Sequence, residues 1–257
     1  MKIATWNVNS LRVRLEQVLQ WLEQRRPDIL SLQETKLPDS DFPVEEICAA
    51  GYRVAFAGQK TYNGVATISR QAVDKVITDL PGLEDPQRRV LASTIGSTRI
   101  LNVYIPNGQA VGSEKFSYKL NWLEMLVDYV RSELTRHERL VLLGDFNIAP
   151  TDEDVHDPKQ WEGKVLCSEP ERGMFRRLIE LGLDDAFRKF DQAPNSYSWW
   201  DYRAGAFRRN IGLRIDHILC SDVLYASCMS CGIDTAPRRL DRPSDHAPVI
   251  AEFETAS

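Results

Sequence analysis

The stretch Leu140-Val141-Leu142-Leu143-Gly144-Asp145-Phe146-Asn147 is a short apolar run that passes through a glycine and ends in an acid. Its length and composition predict a buried β-strand. A strand that carries its acid at the C-terminal end points that acid into the mouth of a sheet, where ligands bind in α/β folds. Working outward, three more carboxylates hold comparable places. Ile29-Leu30-Ser31-Leu32-Gln33 runs into Glu34, and Leu213-Arg214-Ile215 leads to Asp216. Pro243-Ser244 leads to Asp245-His246, just ahead of the strand-like run from Val249 to Phe253. Ends of this kind, drawn from across the whole sequence, predict one acidic, metal-binding centre.

The chain has 257 residues, 43% hydrophobic and 27% charged, enough for a large core. Nothing separates two domains: there is no low-complexity run and no Pro/Gly-rich linker. The expectation is therefore one domain over residues 1–257, built of two similar halves. Lys2-Ile3-Ala4-Thr5-Trp6 already reads as a strand rather than a signal peptide, and no segment has the apolar length of a membrane span. Five cysteines, an odd number, argue for reduced thiols and a cytoplasmic setting. Cys228 and Cys231 form a lone CxxC without the second pair that a zinc site needs. A net charge of −5 leaves no whole-protein basic field and so argues against nonspecific coating of duplex DNA. It does not exclude a metal-dependent phosphodiesterase, because a cation offsets acidity at the centre.

Strands and helices alternate along the chain. Leu15, Val18, Leu19 and Leu22 share a helical face after the first strand, Lys2 to Asn7. Tyr52 to Phe56 and Val65 to Ser69 read as a hairpin with Asn63-Gly64 as its turn, and Val90 to Ile95 with Ile100 to Ile105 as another strand pair. Leu123, Leu126, Val127, Val130 and Leu134 mark a second amphipathic helix; Phe175, Leu178, Ile179 and Leu181 mark a third. Such a pattern predicts an α/β fold of two sheets packed face to face with helices outside.

Hard divalent cations take oxygen ligands, and phosphodiester hydrolysis needs a cation on the phosphate, a base for water and a way to settle the leaving oxygen. Asp145 and Asn147, two apart, place an acceptor beside a neutral amide. Of the four histidines, His246 alone stands directly beside an acid in a Ser-Asp-His-Ala-Pro turn, where a carboxylate favours an imidazolium that donates to phosphate. His217 reads instead as a core histidine bonded to backbone.

Five strings carry a family resemblance: Trp6-Asn7-Val8-Asn9-Ser10-Leu11-Arg12, Leu32-Gln33-Glu34-Thr35-Lys36, Gly144-Asp145-Phe146-Asn147-Ile148, Gly212-Leu213-Arg214-Ile215-Asp216 and Pro243-Ser244-Asp245-His246-Ala247-Pro248. In order and from end to end, they resemble the signature of exonuclease III-type abasic-site endonucleases of the endonuclease/exonuclease/phosphatase superfamily. The resemblance implies a four-layered α/β sandwich of the deoxyribonuclease I type and DNA phosphodiester cleavage dependent on Mg²⁺ or Mn²⁺. It further implies that Glu34 binds metal with Asn7 and Asp245 close by, with Asp145 and Asn147 beside it. Asp145 would orient the attacking water, Asn147 hold the phosphate, and His246, backed by Asp216, contact the scissile group. Tyr104 matches a tyrosine near the phosphate, and Asn107 a phosphate-side polar residue that is glutamine in some relatives.

Tyr197, Trp199, Trp200, Tyr202 and Phe207 interleave with arginines between Ser196 and Arg214, a composition suited to stacking on bases or sugars while cations meet phosphates. By resemblance, Trp199, Leu213 and Ile215 line a pocket for a base-free deoxyribose, while Arg88, Arg203 and the loop from Gln59 to Asn63 flank the DNA. The partner implied is double-stranded DNA with abasic sites or 3′ ends, bound by a monomer without a membrane. The activity implied is incision 5′ to abasic sites, 3′→5′ exonuclease action and 3′-end trimming that leaves a 3′-hydroxyl. An alternative is a 3′-end-trimming specialist. Two others are an inositol-phosphate or sphingomyelin phosphodiesterase, and a non-catalytic binding relative.

Overall fold

The computed structural model describes residues 1–254, and the first four strands of the chain share one sheet: β1 (Lys2–Asn7), β2 (Ile29–Gln33), β3 (Arg53–Ala57) and β4 (Val65–Ser69). A second sheet takes the next six, β5 (Asp74–Ile77), β6 (Val90–Ile95), β7 (Thr98–Tyr104), β8 (Leu140–Asp145), β9 (Leu183–Asp185) and β10 (Asp216–Ser221). The chain then returns to the first sheet with β11 (Cys228–Ile233) and β12 (Val249–Phe253). Spatial orders are β11-β12-β1-β2-β4-β3 and β5-β6-β7-β8-β10-β9, each with one parallel pair at its centre, β1 with β2 and β7 with β8.

Alternation along each strand sorts its side chains between two faces. In β1, Ala4 and Trp6 turn outward, where the helix Leu11–Arg25 lays Leu11, Val18, Trp21 and Leu22 over them. In β8, Leu140 and Leu142 turn outward under Leu123, Leu126, Val127 and Val130 of the helix Glu114–Leu134 and Phe175 and Leu178 of the helix Glu169–Glu180. Ile3, Ile29, Val141, Leu143, Ile218, Val249 and Ala251 meet between the sheets. The result is the four-layered sandwich, helices outside two mixed sheets. Among the described residues no helix is long and apolar enough to cross a membrane.

The inter-sheet seam changes character along its length. Beyond Ile3 and Ile29 it turns polar, with the buried Gln33 donating to Thr5 Oγ1 at 2.9 Å and to Asn102 Oδ1 at 2.7 Å. One step further lie Asn7, Tyr104 and Asp145, the last residues of β1, β7 and β8. The same alternation that fills the core thus delivers the polar residues of three strands to one end of the seam.

Some boundaries differ from the sequence reading. Asp216 does not end a strand; it begins β10, which runs antiparallel to β8 with Asp216 opposite Asp145. Asn63-Gly64 is not a two-residue turn, because residues 58–64 intervene between β3 and β4 and the pairing closes at Ala57 with Val65. The dipeptide instead braces the segment after β2: Asn63 and Gly64 carbonyls accept from Lys36 N at 2.9 Å and Thr35 N at 3.1 Å. Glycine is required at 64, since a Cβ there would lie 2.2 Å from Thr35 Oγ1 and its φ is +87°. Leu15 and Leu19 sit at the margin of the first helix's apolar face, with Trp21 and Leu11 in the deeper places. Strands β5 and β9 carry no sequence signal, because one is fully exposed along its length and the other is three residues long.

Candidate active site

Glu34 follows β2 directly in a left-handed conformation, φ +52°, costly for a glutamate and over-determined here by its neighbours. Its carbonyl accepts from Ser10 N at 2.7 Å, and the next residue's carbonyl accepts from Leu11 N at 3.0 Å. This clamp turns the carboxylate toward the seam. Asn7 Nδ2 donates to Glu34 Oε1 and to Asp145 Oδ2, both at 2.9 Å, so one buried amide ties the two acids together across the sheets. Glu34 Oε2 meets Lys36 Nζ at 2.8 Å.

Asp145 is 1% exposed. Its Oδ1 accepts from Asn147 N at 2.9 Å, which curls the chain so that Asn147 (φ +50°) turns back beside it. Asn147 Nδ2 donates to Ile105 O, and its Oδ1 accepts from Asn107 Nδ2, each at 3.0 Å. On the other side, His246 Nε2 lies 3.7 Å from Asp145 Oδ2 while its Nδ1 is 2.9 Å from Asp216 Oδ2. Asp216 in turn accepts from Ser198 Oγ at 2.7 Å.

Burial raises the Asp145 carboxyl above the usual carboxylate range, opposed by the His246 charge and reinforced by Asp216 and Glu34. Burial alone would lower the His246 pKa, yet Asp216 and then Asp145 overcome it, and the imidazole is held well above its ordinary value. His246 is therefore an imidazolium, with Nδ1–H on Asp216 and Nε2–H facing the cavity. Tyr104 is raised well above a free phenol by burial, with Glu34 and Asp145 adding to it, and stays protonated as a donor.

Glu34, Asp145 and His246 each offer an atom within 4.8 Å of the others. An imidazolium cannot ligate a metal, so the oxygens of Glu34 and Asp145 carry the cation site. The buried Asp216 Oδ1 has no hydrogen-bond partner and adds unsatisfied negative potential there. Hard oxygen donors of this kind fit a hard divalent cation. Asp245 stands one residue from the cluster, its oxygens taken by Asn9 Nδ2 at 2.9 Å and Trp199 Nε1 at 3.0 Å; the His246 charge, and then these two bonds, outweigh burial and hold its carboxyl low.

Trp199, Leu213 and Ile215 fall into one apolar cluster with Ala149, Val155, Val165 and Leu166. Trp199 pairs with Leu213 through bonds of 2.9 and 3.0 Å and bridges His246, so this cluster abuts the acidic centre. Arg88 pairs with Asp79 at 2.7 Å, its amide held by Gln59 at 3.1 Å; Arg203 is exposed on a short turn.

Several residues of the centre escaped the sequence reading. Ser198 supports Asp216 while accepting from Ile215 N and Asp216 N, both at 3.1 Å. Arg89 lies over the Tyr104 ring at 4.6 Å and donates to its carbonyl at 3.2 Å. Leu166 completes the apolar cluster. Aromatic–arginine adjacency flagged the neighbourhood of Ser198; nothing local marked the other two.

His217 points away from the centre, on the outer face of β10. Its Nε2 donates to Ile148 O at 2.9 Å and its Nδ1 accepts from Arg214 at 3.1 Å, while burial and the Arg214 charge push its pKa down to about 4. It is neutral in the fold and free to protonate near 6.5 when unfolded. The unfolded state therefore takes up the proton first, and stability falls as pH drops from about 6.5 to 4, by about 3 kcal/mol from this residue. Urea titrations at pH 7.5 and pH 4 are expected to show the parent losing about that much more stability on acidification than His217→Gln does. Equal pH dependence in both proteins would exclude His217 as its source.

The endonuclease/exonuclease/phosphatase family model matches residues 4–246. Exodeoxyribonuclease III of Haemophilus influenzae is 37% identical over 99% of this chain and 100% of its own length. Among solved structures, the 3′ phosphatase NExo from Neisseria, bound to a product DNA hairpin, superposes with a TM-score of 0.98 at 50% identity, covering 99% of this chain and 100% of that one. An AP endonuclease from Archaeoglobus fulgidus superposes with a TM-score of 0.95 at 38% identity, covering 99% and 100%.

Proposed function

The chain belongs to the exonuclease III/AP endonuclease family, within the endonuclease/exonuclease/phosphatase superfamily, and from that premise we propose that it uses Mg²⁺ to hydrolyse DNA phosphodiesters 5′ to abasic sites and at 3′ ends. It is a DNA-repair nuclease of the exodeoxyribonuclease III/AP endonuclease class. The observation that carries the mechanistic reading is the line Glu34–Asn7–Asp145–His246–Asp216, joined by contacts of 2.9 to 3.7 Å across both sheets.

Glu34 and Asp145 would hold Mg²⁺, which when bound screens the phosphate charge. Asp145 would orient the attacking water and accept its proton. The Nε2–H of His246 donates to a non-bridging oxygen, and the second Nδ2 hydrogen of Asn147 donates to another, so charge gathering there meets fixed donors. Tyr104, protonated beside Glu34, would donate to the 3′-oxygen that departs as the P–O3′ bond breaks, leaving a 3′-hydroxyl. The apolar cluster of Trp199, Leu213 and Ile215 beside the centre supports abasic incision, because apolar side chains there would receive a base-free sugar in preference to a full nucleotide.

Two end-labelled duplexes test this reading, one with an internal abasic-site analogue and one with a 3′-phosphate at a nick. With Mg²⁺, incision beside the lesion and removal of the phosphate are both expected; EDTA abolishes both, and added Mg²⁺ or Mn²⁺ restores them. Phosphate removal without incision would replace the dual reading with 3′-end trimming, the activity named for the Neisseria relative. Cleavage that persists in EDTA would overturn the metal assignment.

A further inference from the structure

Lys119 lies in the second turn of the helix Glu114–Leu134 and is completely buried, an unusual place for a lysine. Its ammonium has three donors, and all are used. One goes to Asn147 O at 2.7 Å, one to Asn107 O at 3.2 Å and one to the carboxylate of Glu171, equally buried at the start of the helix Glu169–Glu180. Glu171 also accepts from Leu166 N at 2.9 Å, Ser168 N at 3.1 Å and the Ser168 hydroxyl. The fit is close: a Cβ on Gly108 would stand 3.0 Å from Lys119 Cδ.

A buried ion pair is a poor device for stability alone, since well-packed apolar residues of similar volume serve as well or better. What this pair grips is specific. Asn107 and Asn147 are the two side chains joined amide to amide at 3.0 Å in the candidate site, and Lys119 holds the main-chain carbonyl of each from beneath. It thereby locks together the segments following β7 and β8, while Glu171 attaches the Leu166 wall of the apolar cluster.

We propose that the Lys119–Glu171 pair is a positioning device for Asn147, and through it for Asn107, in the phosphodiester hydrolysis proposed above. The inference rests on that reading of Asn147. Displacing a phosphate-contacting amide by about 1 Å costs roughly 100-fold in rate.

Lys119→Met alone would strand the Glu171 charge, so the test uses the charge-free double variant Lys119→Met/Glu171→Leu on the abasic duplex. Expected is a fall in kcat of about 100-fold with KM changed less than about threefold. In an Asn147→Ala background the same double change is expected to cost less than about threefold, because the group being positioned is gone. A purely structural role predicts equal losses in both backgrounds, and that result, or a kcat within about threefold of the parent, would overturn the proposal. Should the double variant not fold, Lys119→Arg decides, as it keeps the charge but not the three-way donation. A drop of about tenfold at unchanged melting temperature supports positioning, and an unchanged rate refutes it. Cleavage by the unmutated chain is measured alongside. If it fails, the nuclease reading falls separately, and the position of Asn147 in a crystal structure of the variant then decides the positioning role.

Discussion

Asp145→Asn is expected to lower kcat by about four orders of magnitude while leaving duplex affinity within a few-fold of the parent. Asparagine preserves size and one acceptor, but it cannot take a proton from water and supplies a neutral oxygen to the cation. Duplex affinity is set mainly by cations and donors that meet phosphates around the site, which this change leaves in place. The fold should tolerate it. Burial disfavours the Asp145 charge, and Asp216 and Glu34 add to that while His246 opposes it, so neutralising the side chain removes a buried charge and offsets a weakened bond from Asn7 or Asn147. Single-turnover cleavage of an end-labelled abasic duplex, with fluorescence anisotropy for binding, measures both quantities. A rate within tenfold of the parent would remove Asp145 from the chemistry. A matching loss of affinity would recast it as a residue that shapes the binding surface.

The acids were legible because each follows or precedes a short apolar run, and period-2 alternation tells which face of that run they share. Glu34 and Asp145 are legible because each closes a strand that points into the seam. The strand reading around Asp216 places it at the wrong end. It opens β10 rather than ending a strand before it, and reaches the centre because an antiparallel partner sets its first residue against the last residue of β8. Strand direction is a property of pairing between distant segments, so no local window contains it. Lys119 fails to stand out for the related reason that a lysine within an amphipathic helix reads as part of a solvated face. Its burial depends on Glu171, 52 positions away in the chain. Ser198 and Leu166 likewise acquire meaning only when their loops close on β10 and on Ala149.

The dyad of His246 and Asp216 makes a second large effect expected. His246→Ala should reduce kcat by about three orders of magnitude, with little change in KM, because the donor it removes bears on charge that develops in the transition state. Asp216→Asn is a sharper probe of how the histidine works. Asp216 Oδ2 accepts from His246 Nδ1–H and from Ser198 Oγ together, and an asparagine oxygen in its place keeps both bonds while removing the charge. With its chief counter-charge gone, burial would pull the imidazolium back toward the neutral form, in which Nε2 can lose the proton that meets the phosphate. The two variants should therefore converge: Asp216→Asn approaches the rate of His246→Ala, and combining them costs little more than the histidine change alone. Additive losses would mean that Asp216 acts on the phosphate independently of His246. A loss below about tenfold for His246→Ala would leave the charge stabilisation to Asn147 and the cation.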